Sequence, residues 1–257
     1  MSINQMRIRS RIVDALPPVA RKSISGMRRL LLNWCRNFFP SDVITNRGIR
    51  IALDKEMGDG PLRALRDGSY EGGELAAIER YIRPEDIVLE MGTGIGFITL
   101  FCSRVVGPGN VHTFEANPSL ETKIRKNFAL NDMFPQLTIA VLGECDGEVE
   151  FHLQSEYWSS SRLKYANSTQ TVMVKQLSVN NVLEAIRPTM IVMDIEGGEC
   201  ELIPLMNLTG VERFMLELHP YVTGEEAAKS VVNRLLSAGF VERWSCPDHA
   251  HILFERA

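Results

Sequence analysis

Several features are scarce in this chain of 257 residues. Cysteine is one of them. Cys35, Cys102, Cys145, Cys200 and Cys246 are scattered singly, with no CxxC pair and no Cys/His set at zinc-ligand spacing, so the set argues for reduced thiols. Long hydrophobic runs are also missing. No apolar stretch approaches the roughly 20 residues that cross a bilayer, and the N-terminus has no compact apolar signal segment, so a cytoplasmic protein is expected. Internal repeats and low-complexity tracts are absent as well. What is present is ordinary globular composition, 45% hydrophobic and 23% charged, enough for one α/β core with an appendage but short for two full domains.

The net charge of −4 hides an asymmetry. Residues 1–50 hold ten Lys/Arg against two Asp, or +8, while the remainder holds 18 basic against 30 acidic residues, or −12. Within the first segment, Met27, Leu30, Leu31, Trp34 and Phe38 recur at three- and four-residue steps, which predicts an amphipathic helix over Ser25–Phe39 with a basic flank. The expected organisation is a basic helical arm over residues 1–50 and a main domain over 51–257. The arm's simplest role is packing on the main domain or on a second copy in a homodimer, and the alternative is peripheral contact with an anionic membrane surface. Nucleic acid is not expected as a partner, because the candidate site further on is acidic and repels phosphates.

Past the arm, Gly58, Gly60, Pro61, Gly68, Gly72 and Gly73 punctuate a stretch that reads as loops leading to a helix over Glu74–Ile82. Regular alternation then begins. Strand-like runs at Ile87–Met91, Asn110–Glu115, Leu137–Leu142, Thr189–Asp194 and Val211–Leu218 are interleaved with helical stretches at Ile95–Val105, Ser119–Asn131 and Glu199–Met206. Glu148–Leu153 and Thr171–Gln176 are extra strands, and a helix at Glu225–Ala238 precedes a closing hairpin of Phe240–Ser245 and His249–Glu255. This rhythm predicts a doubly wound α/β fold with a seven-stranded, mostly parallel sheet whose last strand is antiparallel.

Two acidic loops carry the chemistry. Glu90-Met91-Gly92-Thr93-Gly94-Ile95-Gly96 stands where the first core strand turns into a helix. Its glycine interval is one residue short of a dinucleotide fingerprint, and an acid two residues before the first glycine would repel a pyrophosphate. The same acid suits a cofactor with a cationic amino-acid portion. Nineteen residues on, Glu115 ends the second core strand in Glu115-Ala116-Asn117-Pro118, placed to accept both hydroxyls of a ribose. Gly143-Glu144, after the third strand, offers an acid for an adenine amino group, or is simply a Gly/Asp turn. The second loop, Asp194-Ile195-Glu196-Gly197-Gly198-Glu199, and Glu217-Leu218-His219 follow adjacent strands at their carboxyl ends. There Asp194, Glu196, Glu217 and His219 would converge, while Glu199 is explicable as a helix-start acid.

At these residues the chain resembles the FkbM family of S-adenosylmethionine-dependent methyltransferases, through Gly68-Ser69-Tyr70-Glu71, Val88 to Gly96, Phe114 to Pro118, Asn127 with Asn131, Ser160-Ser161, Met193 to Glu199, and Glu217-Leu218-His219. The family usually has Asp followed by Gly-Ala-Asn where this chain has Glu90 and Gly92-Thr93-Gly94. The resemblance implies a class I, Rossmann-like methyltransferase fold and O-methylation of a sugar, glycan, glycolipid or natural-product hydroxyl. Together with the loops, it gives a cofactor set of Tyr70, Glu71, Glu90, Gly92, Thr93, Gly94, Gly96, Phe97, Glu115, Ala116, Asn117, Gly143, Glu144 and Asp194. The expected mechanism is in-line methyl transfer with His219 as general base, Asp194 as the alternative base, and Glu196 and Glu217 orienting it. Asp194, Glu196, Glu217 and His219 could instead ligate a divalent ion, a less favoured reading, and no metal is assigned. From another class, a non-catalytic nucleoside-binding regulatory module would use the first loop without needing the second.

Overall fold

The computed structural model describes residues 43–154, 168–247 and 250–257. The chain enters with a hairpin, β1 (Val43–Asn46) and β2 (Ile49–Ala52). Residues 43–50, read from sequence as the end of the arm, belong instead to the main unit, which begins at Val43. The reason is alternation: Ile49 and Ile51 point into the core, and the backbone between them is clamped from outside. Asn131 Oδ1 accepts from the Arg50 N–H at 2.8 Å, and Asn127 Oδ1 accepts from the Ala52 N–H at 2.9 Å. The rest of the expected arm, including its helix, lies outside the described residues.

The glycine-punctuated stretch is not loop throughout. It forms α1 (Asp59–Asp67), delimited by Gly58 and by a left-handed Gly68 whose N–H closes onto Ala64 O. After α2 (Gly72–Tyr81) comes the expected alternation: β3 (Val88–Met91), α3 (Phe97–Val106), β4 (Val111–Glu115), α4 (Glu121–Leu130) and β5 (Gln136–Ile139). The single strand expected over Leu137–Leu142 is broken at Ala140, whose N–H donates to Glu115 O at 2.9 Å. Its second half, β6 (Val141–Gly143), joins β7 (Gly147–Gln154) and β8 (Ser168–Ser178) in a separate three-stranded sheet of order β6-β8-β7. A helix not expected from sequence, α5 (Val179–Ile186), is capped by the Ser178 hydroxyl and leads into β9 (Met190–Met193). The chain ends with α6 (Glu199–Leu202), β10 (Arg213–Glu217), α7 (Pro220–Thr223), α8 (Glu225–Ser237), β11 (Phe240–Ser245) and β12 (His251–Arg256).

The main sheet has seven strands in the order β11-β12-β10-β9-β3-β4-β5. Every pair from β10 to β5 is parallel, and β12 runs antiparallel to both of its neighbours. The central strands β3, β9 and β10 are buried on both faces, as a parallel sheet covered by helices requires. Val88, Met190 and Val192 pack with α2, α3 and α4 on one side, while Leu89, Met91, Ile191 and Met193 pack with α5 and α8 on the other. The chain leaves β3 toward β4 and β5 and returns to β9 on the opposite side. The crevice at the carboxyl ends of β3 and β9 is therefore the topological switch point, where doubly wound sheets take ligands. No described helix is long and apolar enough to cross a membrane.

Candidate active site

The two acidic loops meet at that switch point because one backbone contact joins them. Asp194 N–H donates to Met91 O at 3.0 Å, and a Cβ at Gly92 would stand 1.7 Å from Asp194 O. Gly92, with φ of +92°, is the residue that lets the loops touch. The opposite wall of the glycine loop is ordered by Glu115. Its Oε2 accepts from the Gly94 N–H at 3.0 Å, and its Oε1 accepts from the Asn117 N–H at 2.7 Å.

A cavity of about 290 Å³ opens over this junction. Of the residues expected at the site, Tyr70, Glu71, Glu90, Gly92, Thr93, Gly94, Phe97, Glu115, Ala116, Asp194, Glu196 and Glu217 line it. The others do not, for separate reasons. Gly96 starts α3, and a Cβ there would meet the Phe128 ring at 2.8 Å, so it serves helix packing. The Asn117 side chain caps the turn at Pro118–Leu120, accepting from the Ser119 N–H. Gly143 lies against the Gln176 side chain, and Glu144 is exposed. In place of an acid for adenine, Ala140, Val141, Leu142 and Phe151 give that wall an apolar surface. Ser160 and Ser161 lie outside the described residues.

His219 is also off the wall. It is 4% exposed, set behind the acids, with Nδ1 3.2 Å from Glu199 Oε1. Its Nε2 faces Glu196 Oε2 at 3.5 Å, Asp194 Oδ1 at 3.6 Å and Glu217 Oε1 at 3.9 Å. Glu199 does two jobs, since the same oxygen accepts from the N–H groups of Ile195 (3.1 Å) and Gly197 (3.3 Å). Glu217 Oε2 is met by His251 Nε2 at 3.3 Å.

One lining acid was not anticipated from sequence. Glu74, one helical turn after Glu71, is buried on the cavity wall, and its spacing from Glu71 was the available signal. Glu71 and Glu196 both sit in left-handed backbone, at φ of 50° and 53°, strain of the kind that accumulates at functional loops. The Tyr70 and Phe97 rings, 5.6 Å apart edge to face, fix the segment carrying Glu71 against α3.

Among the described residues, no lysine or arginine lines the cavity. Glu71, Glu74, Glu90, Glu115, Asp194 and Glu196 on its wall resist ionisation, chiefly through burial. Burial pushes Glu90 up to about 8 and Glu115 up to about 7, against the pull of the Thr113 and Thr99 hydroxyls on the first and of four backbone N–H groups on the second. Burial and the Glu217 charge raise Asp194 well above the carboxylate range, and burial followed by Glu71 does the same to Glu74. Burial lifts Glu196 to about 7, though neighbouring His219 opposes the shift. For His219 burial works downward, but the Glu199 hydrogen bond and the surrounding carboxylates raise it overall. A site built this way favours a cationic ligand.

Comparison with known proteins gives distant structural likenesses and one family match. The structure is similar to precorrin-6y C5,15-methyltransferase from Geobacter metallireducens, with 12% identity, 80% of this chain and 94% of that one covered, and a TM-score of 0.48. It is similar to ribosomal protein L11 methylase from Lactobacillus delbrueckii subsp. bulgaricus, with 13% identity, 72% and 77% covered, and a TM-score of 0.43. Aeropyrum pernix fibrillarin with natively bound S-adenosyl-L-methionine gives 14% identity, 67% and 66% covered, and a TM-score of 0.38. No curated protein matches the sequence. The Methyltransferase FkbM domain matches residues 90–252, more than half of the chain and both acidic loops, so the chain belongs to the FkbM family of S-adenosylmethionine-dependent methyltransferases.

Proposed function

We propose that the chain transfers a methyl group to a hydroxyl oxygen of a sugar, glycan or natural-product acceptor. The observation that carries this reading is that one cavity runs from the Glu90 and Glu115 loops to the Asp194, Glu196 and Glu217 rim. At the donor end, Glu115 lines the cavity with both oxygens oriented by backbone N–H groups, and it would take the ribose hydroxyls. Glu90 Oε1 is buried and bonded to nothing, an orphan acceptor suited to the ammonium group. The apolar wall of Val141, Leu142 and Phe151 would cover the adenine ring.

At the other end an alcohol becomes a nucleophile only when its proton is taken, and the group best placed for that is Glu196. It lines the cavity, whereas His219 reaches an acceptor only past the carboxylates in front of it. Transfer then consists of attack by the acceptor oxygen on the sulfonium methyl, release of the thioether and passage of the hydroxyl proton to Glu196. The protein's main contribution is to hold donor and acceptor collinear.

Calorimetric titration with S-adenosylmethionine, and separately with NAD, followed by a methyl-transfer screen over glycans and hydroxylated small molecules, tests the reading. Binding of the first alone, with a hydroxyl acceptor methylated, is expected. Methylation confined to nitrogen or carbon acceptors would overturn it.

A further inference from the structure

The geometry points to a divalent-cation site formed by Asp194, Glu217 and His219, taking one first-row ion of the Mn²⁺ or Zn²⁺ kind. One ligand atom from each of the three lies within 4.8 Å of the others. His219 Nε2 stands 3.6 Å from Asp194 Oδ1 and 3.9 Å from Glu217 Oε1. Ligands placed tetrahedrally on bonds of about 2.1 Å stand about 3.4 Å apart, so closure onto an ion asks only small side-chain movements.

The histidine supplies the observation that an acidic cluster alone would not. Its side chain is 4% exposed, and among the described residues Nε2 makes no hydrogen bond although it points at three carboxylates. Those separations are all too long for N–H···O bonding. Asp194 Oδ1, one of the atoms it faces, is likewise buried without a hydrogen-bond partner. A cation between His219 Nε2 and this orphaned oxygen, which face each other at 3.6 Å, would satisfy both.

The atoms behind them are arranged as metal ligands require. Glu199 Oε1, itself fixed by two backbone N–H groups, holds His219 Nδ1, which orients the ring and leaves Nε2 for the gap. His251 Nε2 takes Glu217 Oε2 and leaves Oε1. Among the described residues no lysine or arginine lines the cavity to offset these acids. One imidazole with two carboxylates suits Mn²⁺, Fe²⁺ or Zn²⁺ better than Mg²⁺ or Ca²⁺. The site stands on these residues alone. Its role, holding the acceptor hydroxyl and easing its deprotonation toward Glu196, rests on the methyl-transfer reading.

The experiment is titration of the full chain with Mn²⁺, without S-adenosylmethionine, following the electron paramagnetic resonance signal of the free ion. Saturable binding of one ion per chain is expected, weakened at least about tenfold by His219→Gln and by Glu217→Gln at unchanged circular dichroism. Glu115→Gln should keep the ion and weaken S-adenosylmethionine. If His219→Gln does not fold, Asp194→Asn carries the same expectation. Absence of saturable binding up to millimolar Mn²⁺, or binding that these substitutions leave unchanged, overturns the site. Titration with S-adenosylmethionine in a chelator separates the two ideas. Cofactor binding without Mn²⁺ binding removes only the cation site, and Mn²⁺ binding without cofactor binding removes only the methyl-transfer reading.

Discussion

The two ends of the central sheet handle buried charge in opposite ways. At the amino ends of β3, β9 and β10, Asp86 and Arg213, each 1% exposed, form an ion pair. Thr189 Oγ1 adds a bond to Asp86 at 2.7 Å, and Asp86 Oδ2 accepts from the Arg83 N–H at 2.7 Å. Glu255 and Glu212 stand further off around the same guanidinium. At the carboxyl ends, Glu71, Glu74, Glu90, Asp194, Glu196 and Glu217 face one cavity that no lysine or arginine lines among the described residues. One end pairs its opposite charges within the fold, although Arg213 Nε and Nη1 are buried without a hydrogen-bond partner. The other leaves its electrostatics open, so a ligand must complete them.

Breaking the closed end should have the largest effect. Arg213→Met leaves Asp86 buried and unpaired, and unfolding in denaturant should show a loss of about 3–5 kcal/mol. At the open end a comparable change should strike activity and spare the fold: Glu196→Gln is expected to lower turnover by about 10²-fold or more, with S-adenosylmethionine affinity unchanged by calorimetry. Glu115→Gln comes next. Losing charge-assisted bonds to the ribose should weaken the cofactor roughly tenfold, equivalent to about 1.4 kcal/mol, while the melting temperature holds or rises.

A pH series sharpens the contrast further. Glu115 at about 7 and Glu90 at about 8 lie above the 4.5 of an unfolded glutamate, so between those values the native state binds more protons than the unfolded one. The stability these two groups contribute is therefore fullest below about 4.5 and is lost as pH rises toward 8, in the protein without ligand. Melting curves from pH 5 to 8.5 should show that decline, and it should be reduced in a Glu90→Gln, Glu115→Gln double variant. The smallest effect belongs to neither end. Removing the exposed Arg125–Glu121 pair on α4 by Arg125→Ala should shift stability by no more than about 0.5 kcal/mol.

The open end was the more legible part of the sequence. Glycine spacing and strand-end acids are local signals, and Glu90, Glu115, Asp194, Glu196 and Glu217 all reach the cavity as their positions in the βα units implied. What sequence did not give depends on tertiary contacts. Glycines at 58 and 68 look like loop punctuation, yet they delimit α1, because Leu65 gains a core contact that outweighs the weak local propensity. The break at Ala140 follows from its bond to Glu115, a partner 25 residues away in sequence. His219 could be placed at a strand end but not behind its neighbours, since that depends on Glu199 folding back onto the ring. The asparagines of the resemblance, Asn127 and Asn131, turn out to clamp the entry hairpin and the glycine loop, with Asn127 Nδ2 donating to Ile95 O at 2.8 Å.

The contact between Gly92 and the Asp194 carbonyl has a consequence for engineering. The two acidic loops share one van der Waals surface, so under the proposed methyl-transfer reading the distance between donor and acceptor would be set by sheet packing. A graft in the β7–β8 ribbon would reach the cavity through Phe151. Any graft that shifts β9 against β3 by a fraction of an ångström would detune the reaction while leaving both binding subsites intact.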